Sequence, residues 1–237
     1  MIKFENIEVI GWEHAIHGMR NPLESWEKSD SCWYEKAPNF SDLPNGVLLM
    51  RQEGSEVFCI GPNDLNLMTR LRNAGTDHRK FIRMIAVYVD ITAPRYWWSE
   101  FDTYKIGTVA NSCSTMHCIH KKEFTLDDFS HEHMTLRSSG LLMQTIKYLN
   151  EVRNIYVNQE IKHLDPTKKE VWWQMIQLLP SSYNQKRTVM LNYEVLANIY
   201  KSRNGHKLDE WREFCKWIRN LPCSELITGK MQQTNDT

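Results

Sequence analysis

Six potential soft metal ligands, Cys113, His117, Cys118, His120, His131 and His133, crowd into 21 residues of this chain. Thiolates and imidazoles are the groups that hold zinc. The spacing C-x3-H-C-x-H matches no tight zinc template, and the competing reading is a buried cysteine pair with surface histidines. No metal site is assigned. Tyr104 and Lys105 put an aromatic ring beside a cation. Such a pair can stack on a base and meet a phosphate, or form the solvated end of a helix. Ser114 can face a ligand or cap a turn. No base is placed beside it, so it is not assigned as a nucleophile, and no catalytic residue is assigned. Arg203 falls at a helix end, where the helix dipole favours a cation with or without a ligand. His78 stands at the start of a short helix, and Trp97-Trp98 serve either as core or as a ligand platform.

These residues must be positioned by the elements around them. Ile2 to Ile10 reads as a strand. Gly46 to Met50 and Val57 to Ile60 read as two strands around the turn Gln52-Glu53-Gly54-Ser55. Asn63 or Asp64 can cap a helix that runs to Ala74 and stops at Gly75. A short helix then starts at Thr76 or Asp77. Met84 to Thr92 is the strongest strand pattern, β-branched and unbroken. Ala93-Pro94 opens a helix to Lys105, and Gly107 to His117 reads as a loop. Thr125 caps a short helix, and an amphipathic helix covers about 140–160. Asp165-Pro166 marks a break, and Lys169 to Leu179 is helical up to Pro180. Gln185 to Ser202 reads as one long helix, with Val189, Tyr193, Leu196 and Tyr200 on one face. Leu208 to Leu221 is the last clear helix.

With 237 residues the chain can bury one sizeable core, and no repeat or linker divides it. The expectation is a single α+β domain over residues 1–230, helix-rich with a small central β-sheet, followed by a flexible polar tail over 231–237. Lys+Arg and Asp+Glu both number 29. The bulk charge therefore gives no basic face for a nucleic-acid polymer, while a small anionic ligand needs only a few cations. The sequence holds no apolar run long enough to span a membrane and no signal-peptide core, which predicts a cytoplasmic protein with free thiols at its six cysteines.

Two segments carry a family resemblance. GTDHRKFIRMIAVYVDITAPRYWWSEFDTYKIGTVANSCSTMH (75–117) is similar to a run in the flavin-dependent thymidylate synthases (ThyX): a histidine, a strand, an Ala-Pro-led helix, an RHR triplet and a loop ending in NExSxRY. MIQLLPSSYNQKRTVMLNYEVLANIYKSR (175–203) resembles the family's ARxxLP turn and the helix that carries N-L-R and finishes in L-R. Together they cover about a third of the chain, in the family's order. WEHAIHGMRNPLESW is a weaker echo of the family's opening.

The resemblance implies a ThyX-like fold and a set of site residues. His78, Asn192, Asn198 and Lys105 fall near the flavin, FAD. Tyr104, Asn111, Ser114 and Arg203 fall near the nucleotide. It also implies a homotetramer with sites formed between subunits. The RHR triplet, however, falls on Thr103-Tyr104-Lys105, and the Arg-Gln pair before it on Ser99-Glu100. Family arginines fall on Met116, Ile176 and Glu194. Arginines grip phosphates through charge-assisted, often bidentate bonds that methionine and isoleucine cannot make. Arg79, Arg83, Arg95, Lys186 and Arg187 are the cations available to compensate. The expected function is therefore a divergent ThyX-like protein that binds a small nucleotide. As an enzyme it would be a flavin- and folate-dependent C5-methyltransferase of a pyrimidine nucleotide, with FAD and a folate one-carbon donor supplying the chemistry. The alternative is a non-catalytic protein that binds or sequesters a nucleotide or cyclic nucleotide.

Overall fold

The computed structural model describes residues 2–35, 47–50, 56–158 and 167–229. Gly46, the turn Gln52–Ser55, the break at Asp165-Pro166 and the tail 231–237 lie outside them. In chain order the elements begin with β1 (Lys3–Ile10), α1 (Trp12–Arg20), β2 (Cys32–Tyr34), β3 (Val47–Met50), β4 (Val57–Ile60) and α2 (Pro62–Asn73). They continue with β5 (Ala86–Pro94), α3 (Arg95–Phe101), β6 (Val109–Ser112), α4 (Thr115–Cys118), α5 (Leu136–Asn158) and α6 (Lys168–Leu178). The last are β7 (Asn184–Asn192), α7 (Tyr193–Arg203), α8 (Asp209–Arg219) and α9 (Glu225–Thr228). This is the expected helix-rich α+β class. One sheet has the order β1-β5-β7-β6, and a second has the order β2-β4-β3.

β5 forms because its side chains alternate. Val87, Val89, Ile91 and Ala93 are buried, while Tyr88 is exposed and Asp90 and Thr92 are half-buried. That period of two fits a strand with one covered face. The alternation runs on through Ala93 and the strand ends at Pro94, so α3 begins at Arg95, two residues later than expected. Its first amides, of Arg95 and Tyr96, donate to the carbonyls of Tyr183 and Ser181.

The largest correction falls on residues 185–202. They are not one helix: β7 occupies Asn184–Asn192 and α7 starts at Tyr193. Val189, Tyr193, Leu196 and Tyr200 do lie at helical spacing. Val189 and Leu191, however, are buried while Thr188 is exposed, which is a strand's alternation beside β5. Asn192 ends the strand and caps the helix, its Oδ1 accepting from the amide of Val195 at 3.0 Å. The expected loop 107–117 likewise contains β6 and α4. Gly61, not Asn63 or Asp64, stands at the N-cap of α2, with Pro62 at its first position. A further short helix, α9, follows Leu221.

The chain's contacts divide into two compact units. The first comprises Met1–Glu5, Asp90–Thr103 and Ala110–Thr188. Its core is α5 packed on α6, with Leu142, Ile146, Leu149 and Val152 facing Val171 and Met175, and with Phe124 and Phe129 beside them. Trp97, Trp98 and Phe101 stack together and are fully buried, so this tryptophan pair is core. The second unit comprises Asn6–Val89, Tyr104–Val109 and Val189–Thr237. α7 is its centre: Tyr193 is buried edge-on against Trp12, and its hydroxyl donates to the carbonyl of Pro222 at 2.5 Å. Burial pushes that phenol well above its ordinary pKa, which keeps it a donor. A buried ion pair ties α1 to α2 in the same unit. Arg20 Nε donates to Asp64 Oδ1 at 2.8 Å, while Ser29 Oγ and Ser31 Oγ each donate to Oδ2 at 2.6 Å.

Candidate functional site

α7 buries Tyr193, Val195, Leu196, Ala197 and Ile199. That leaves Asn198 and Lys201 exposed three residues apart, with Asn204 at the C-cap continuing the same face. Opposite them runs the end of α2 and the turn that follows it. Gly75, at φ +110°, takes the left-handed backbone this turn needs. Its carbonyl accepts from the amides of both His78 and Arg79, and a 3-10 helix then spans Arg79–Met84. α9 closes the third side. The result is a cleft of about 540 Å³ in the second unit, lined among others by Arg72, Thr76, Arg79, Asn198, Lys201 and Asn204.

Two guanidiniums are fixed at this cleft. Arg72 donates from Nε to the carbonyl of Leu226 at 3.2 Å and from Nη2 to that of Ile227 at 2.9 Å. Carbonyls at a helix end lack partners within the helix, and an arginine satisfies them well. Gly229 makes room for it: a Cβ there would lie 2.5 Å from Arg72 Nη1. Arg79 Nη2 donates to Glu194 Oε1 at 2.9 Å, while Arg79 Nε and Glu194 Oε2 are buried without a hydrogen-bond partner. Burial and the like charge of Arg79 pull the Arg72 guanidinium below its ordinary pKa, and Glu194 opposes them. Two cations that repel each other beside an exposed lysine, on an open cleft, make a site that an anion would relieve.

Of the eight residues assigned from sequence, Asn198 lines this cleft. His78 is exposed one residue before Arg79. Tyr104 and Arg203 come together across 99 residues of sequence, with Arg203 Nε donating to the Tyr104 hydroxyl at 2.9 Å. The same guanidinium lies 4.6 Å from the ring of buried Trp211, and its Nη1 is 3.0 Å from His206 Nε2. This pair is thus built into a packed aromatic cluster. Lys105 follows it, exposed. Asn192 caps α7 and packs beside Gly107, whose φ of +76° and lack of a Cβ let the 104–109 segment pass close to Asn192 and Val195. Asn111 and Ser114 belong to the other unit. Asn111 is exposed on β6, and Ser114 caps α4 by accepting from the amide of His117 at 3.3 Å.

Among the compensating cations, Arg79 reaches the cleft. Lys186 pairs with Glu5 at 3.0 Å and Asp90 at 3.4 Å. Arg187 pairs with Asp102 at 2.7 Å and lies over the Trp98 ring. Arg83 and Arg95 are exposed. The cysteine-histidine segment does not gather: Cys113 is exposed and His120 packs on Tyr156. Among the described residues no three His, Cys, Asp or Glu side chains are placed to share a metal ion. Sequence reasoning missed Arg72, Thr76, Lys201 and Asn204. The polar spacing of 198, 201 and 204 was visible, but it is also what any solvated helix face shows.

No family model and no curated protein matches the chain. Solved structures do. A crystal structure of flavin-dependent thymidylate synthase ThyX from Helicobacter pylori complexed with FAD and dUMP superposes with a TM-score of 0.60. It is 15% identical, and the match covers 96% of this chain and 98% of that one. The chain has a ThyX-like fold. A second structure of Helicobacter pylori ThyX with FAD and dUMP, at 2.31 Å, gives the same score and identity over 96% and 97% of the two chains. The ThyX-like architecture thus extends over nearly the whole chain, well beyond the third on which the sequence resemblance rested. No helix among the described residues is long and apolar enough to cross a membrane.

Proposed function

We propose that this chain binds a small nucleotide on its ThyX-like scaffold, with the phosphate held in the cleft of Arg72, Arg79 and Lys201. The observation that carries this reading is the convergence of two fixed guanidiniums and an exposed lysine beside Asn198, in a cleft large enough for a mononucleotide. The neighbours in fold were crystallised with FAD and dUMP. The amides of Asn198 and Asn204 offer donors and acceptors to a base or sugar, and the guanidiniums offer planar donors to phosphate oxygens.

FAD would need cations at its pyrophosphate. Of the positions that the resemblance gives to phosphate-gripping arginines, Glu194 is a buried carboxylate already paired with Arg79. Tyr104 of the altered triplet is held by Arg203. These residues fit a flavin pyrophosphate poorly. The reading therefore rests on nucleotide binding and requires no flavin or folate step, and the non-catalytic form of the function is the one these contacts favour.

The test is a thermal-shift and calorimetric screen of the purified chain with dUMP, other nucleoside monophosphates, cyclic nucleotides, FAD and inorganic phosphate. A nucleotide is expected to raise the melting temperature in a saturable way. Lys201→Ala is expected to weaken that nucleotide about tenfold or more, the value of one charge-assisted contact of about 1.5–3 kcal/mol. Absence of a shift with every nucleotide at millimolar concentration would overturn the proposal. A purified protein absorbing near ~450 nm that releases FAD on heating would replace the non-catalytic form with a flavoenzyme.

A further inference from the structure

β2 and β4 pair antiparallel with the register Cys32↔Cys59, Trp33↔Phe58 and Tyr34↔Val57. Residues directly opposed in an antiparallel pair share a face, with Cβ atoms about 4.5–5.5 Å apart. A disulfide spans Cα separations of about 4.4–6.8 Å, so opposed cysteines need little backbone movement to join. Both thiols are free in this structure, Cys32 exposed and Cys59 buried. The Tyr34 phenol, two residues on and on the same face, is raised by its hydrogen bond with Cys32 and by the charges of both cysteines. The Cys59 thiol is raised first by burial, then by Cys32 and Asp30.

The two sulfurs differ in access, and that difference orders their chemistry. Cys32 is exposed on edge strand β2. Cys59, beside it on the same face, is buried on the central strand of the β2-β4-β3 sheet. We propose that Cys32 and Cys59 are a redox pair that closes into a reversible cross-strand disulfide on reaction with a low-molecular-weight disulfide. The Cys32 thiolate attacks one sulfur of the reagent, the reagent's S–S bond breaks, and one thiol leaves carrying a proton. The Cys59 thiol then loses its proton and attacks Cys32 Sγ, releasing the second reagent thiol. Two cysteine thiols give up two electrons, and one disulfide becomes two thiols. Excess reduced thiol reverses both steps. In a reducing compartment such pairs are characteristically transient or redox-sensing rather than structural. The bond would close the chain from 32 to 59 into a ring and lock edge strand β2 to β4.

The remaining cysteines provide the contrast. Cys215 and Cys223 are buried, and burial raises the Cys215 thiol to about 11 and the Cys223 thiol higher still. Cys113 and Cys118 do not oppose one another on paired strands.

The experiment equilibrates the full chain with mixtures of reduced and oxidised glutathione, quenches in acid, alkylates, and maps peptides by mass spectrometry without reduction. The expected result is joint loss of Cys32 and Cys59 from alkylation, a Cys32–Cys59 linked peptide, and no retained glutathione. Cys59→Ser should hold one glutathione on Cys32, and Cys32→Ser should leave Cys59 reduced under the same mixture. Glutathione retained on Cys32 of the unsubstituted chain would overturn the proposal. So would both thiols remaining alkylatable, or Cys59 pairing elsewhere. Should either variant fail to fold, the linked peptide in the unsubstituted chain decides alone.

Discussion

Asp64 shows how far a single side chain can be diverted from the role its position suggests. Near the start of α2 it was expected as a cap. Instead it is fully buried, with Arg20 on one oxygen and the hydroxyls of Ser29 and Ser31 and the amides of Asp30 and Ser31 on the other. The cap is supplied from outside the helix, since the Asp30 carboxylate accepts from the amides of Asn63 and Asp64. Burial alone would raise the Asp64 carboxyl. The hydrogen bonds from Ser29, Ser31 and Arg20 outweigh it, and the net shift is downward. A carboxyl lowered in the folded state adds stability above its unfolded pKa of about 3.9 and loses it as the pH falls through the folded value. Asp64→Asn leaves the Arg20 guanidinium buried without its counter-charge, and should cost about 3–5 kcal/mol at neutral pH in urea denaturation. The difference from the unsubstituted chain should narrow progressively as the pH falls from about 4 toward the lowered folded pKa of Asp64. A difference that does not narrow at all as the pH falls below about 4 would show that the charge is not the source of the stability. Arg79 and Glu194 behave otherwise: they pair with each other, yet each keeps a buried atom without a hydrogen-bond partner.

At the scale of elements, the joint between β7 and α7 carries both the fold and the cleft. Asn192 is its hinge point, and Asn192→Ala removes an N-cap worth about 1 kcal/mol. The cost should appear as a lower urea midpoint with an unchanged slope, and nucleotide binding should survive, because Asn192 caps α7 rather than lining the cleft. Loss of all binding in a folded Asn192→Ala protein would move the site toward that residue. The joint also explains what could be read from the sequence. β5, α5, α6 and α8 were legible because each has a clean period or clear end signals. β7 was not, because Val189 and Tyr193 are four apart and fit a helix as well as they fit a strand that turns into one. Asn198 and Arg79 are named from the sequence because both lie in the segments that carry the resemblance. Arg72 could not: its place in the cleft depends on α9 and on the missing side chain of Gly229, and neither is local to it.

For the molecule as a whole, the balance of 29 basic and 29 acidic residues makes the cleft a local positive feature on a neutral chain. Anion binding should then be limited to what three cations can grip. For a polymer, affinity falls with salt in proportion to the phosphates neutralised, with a log-log slope of about −0.9 per contact on duplex DNA. A protein meeting at most three phosphates therefore gains little from a long duplex, and the repulsion from acidic surface elsewhere offsets part of it. A mononucleotide faces no such limit, because its base and sugar add contacts that salt does not screen. The expected outcome is saturable binding of a nucleotide at near-physiological salt, with no retained binding of a labelled duplex in fluorescence anisotropy. The bound nucleotide at a hundredfold excess over Kd adds about 2.7 kcal/mol to the folded state. In a chain of this size that corresponds to a rise of several degrees in melting temperature, at roughly 2–4 °C per kcal/mol. Duplex binding that persists at 150 mM salt would require a basic surface the charge balance does not reveal, and would turn the proposed ligand from a mononucleotide into a polymer.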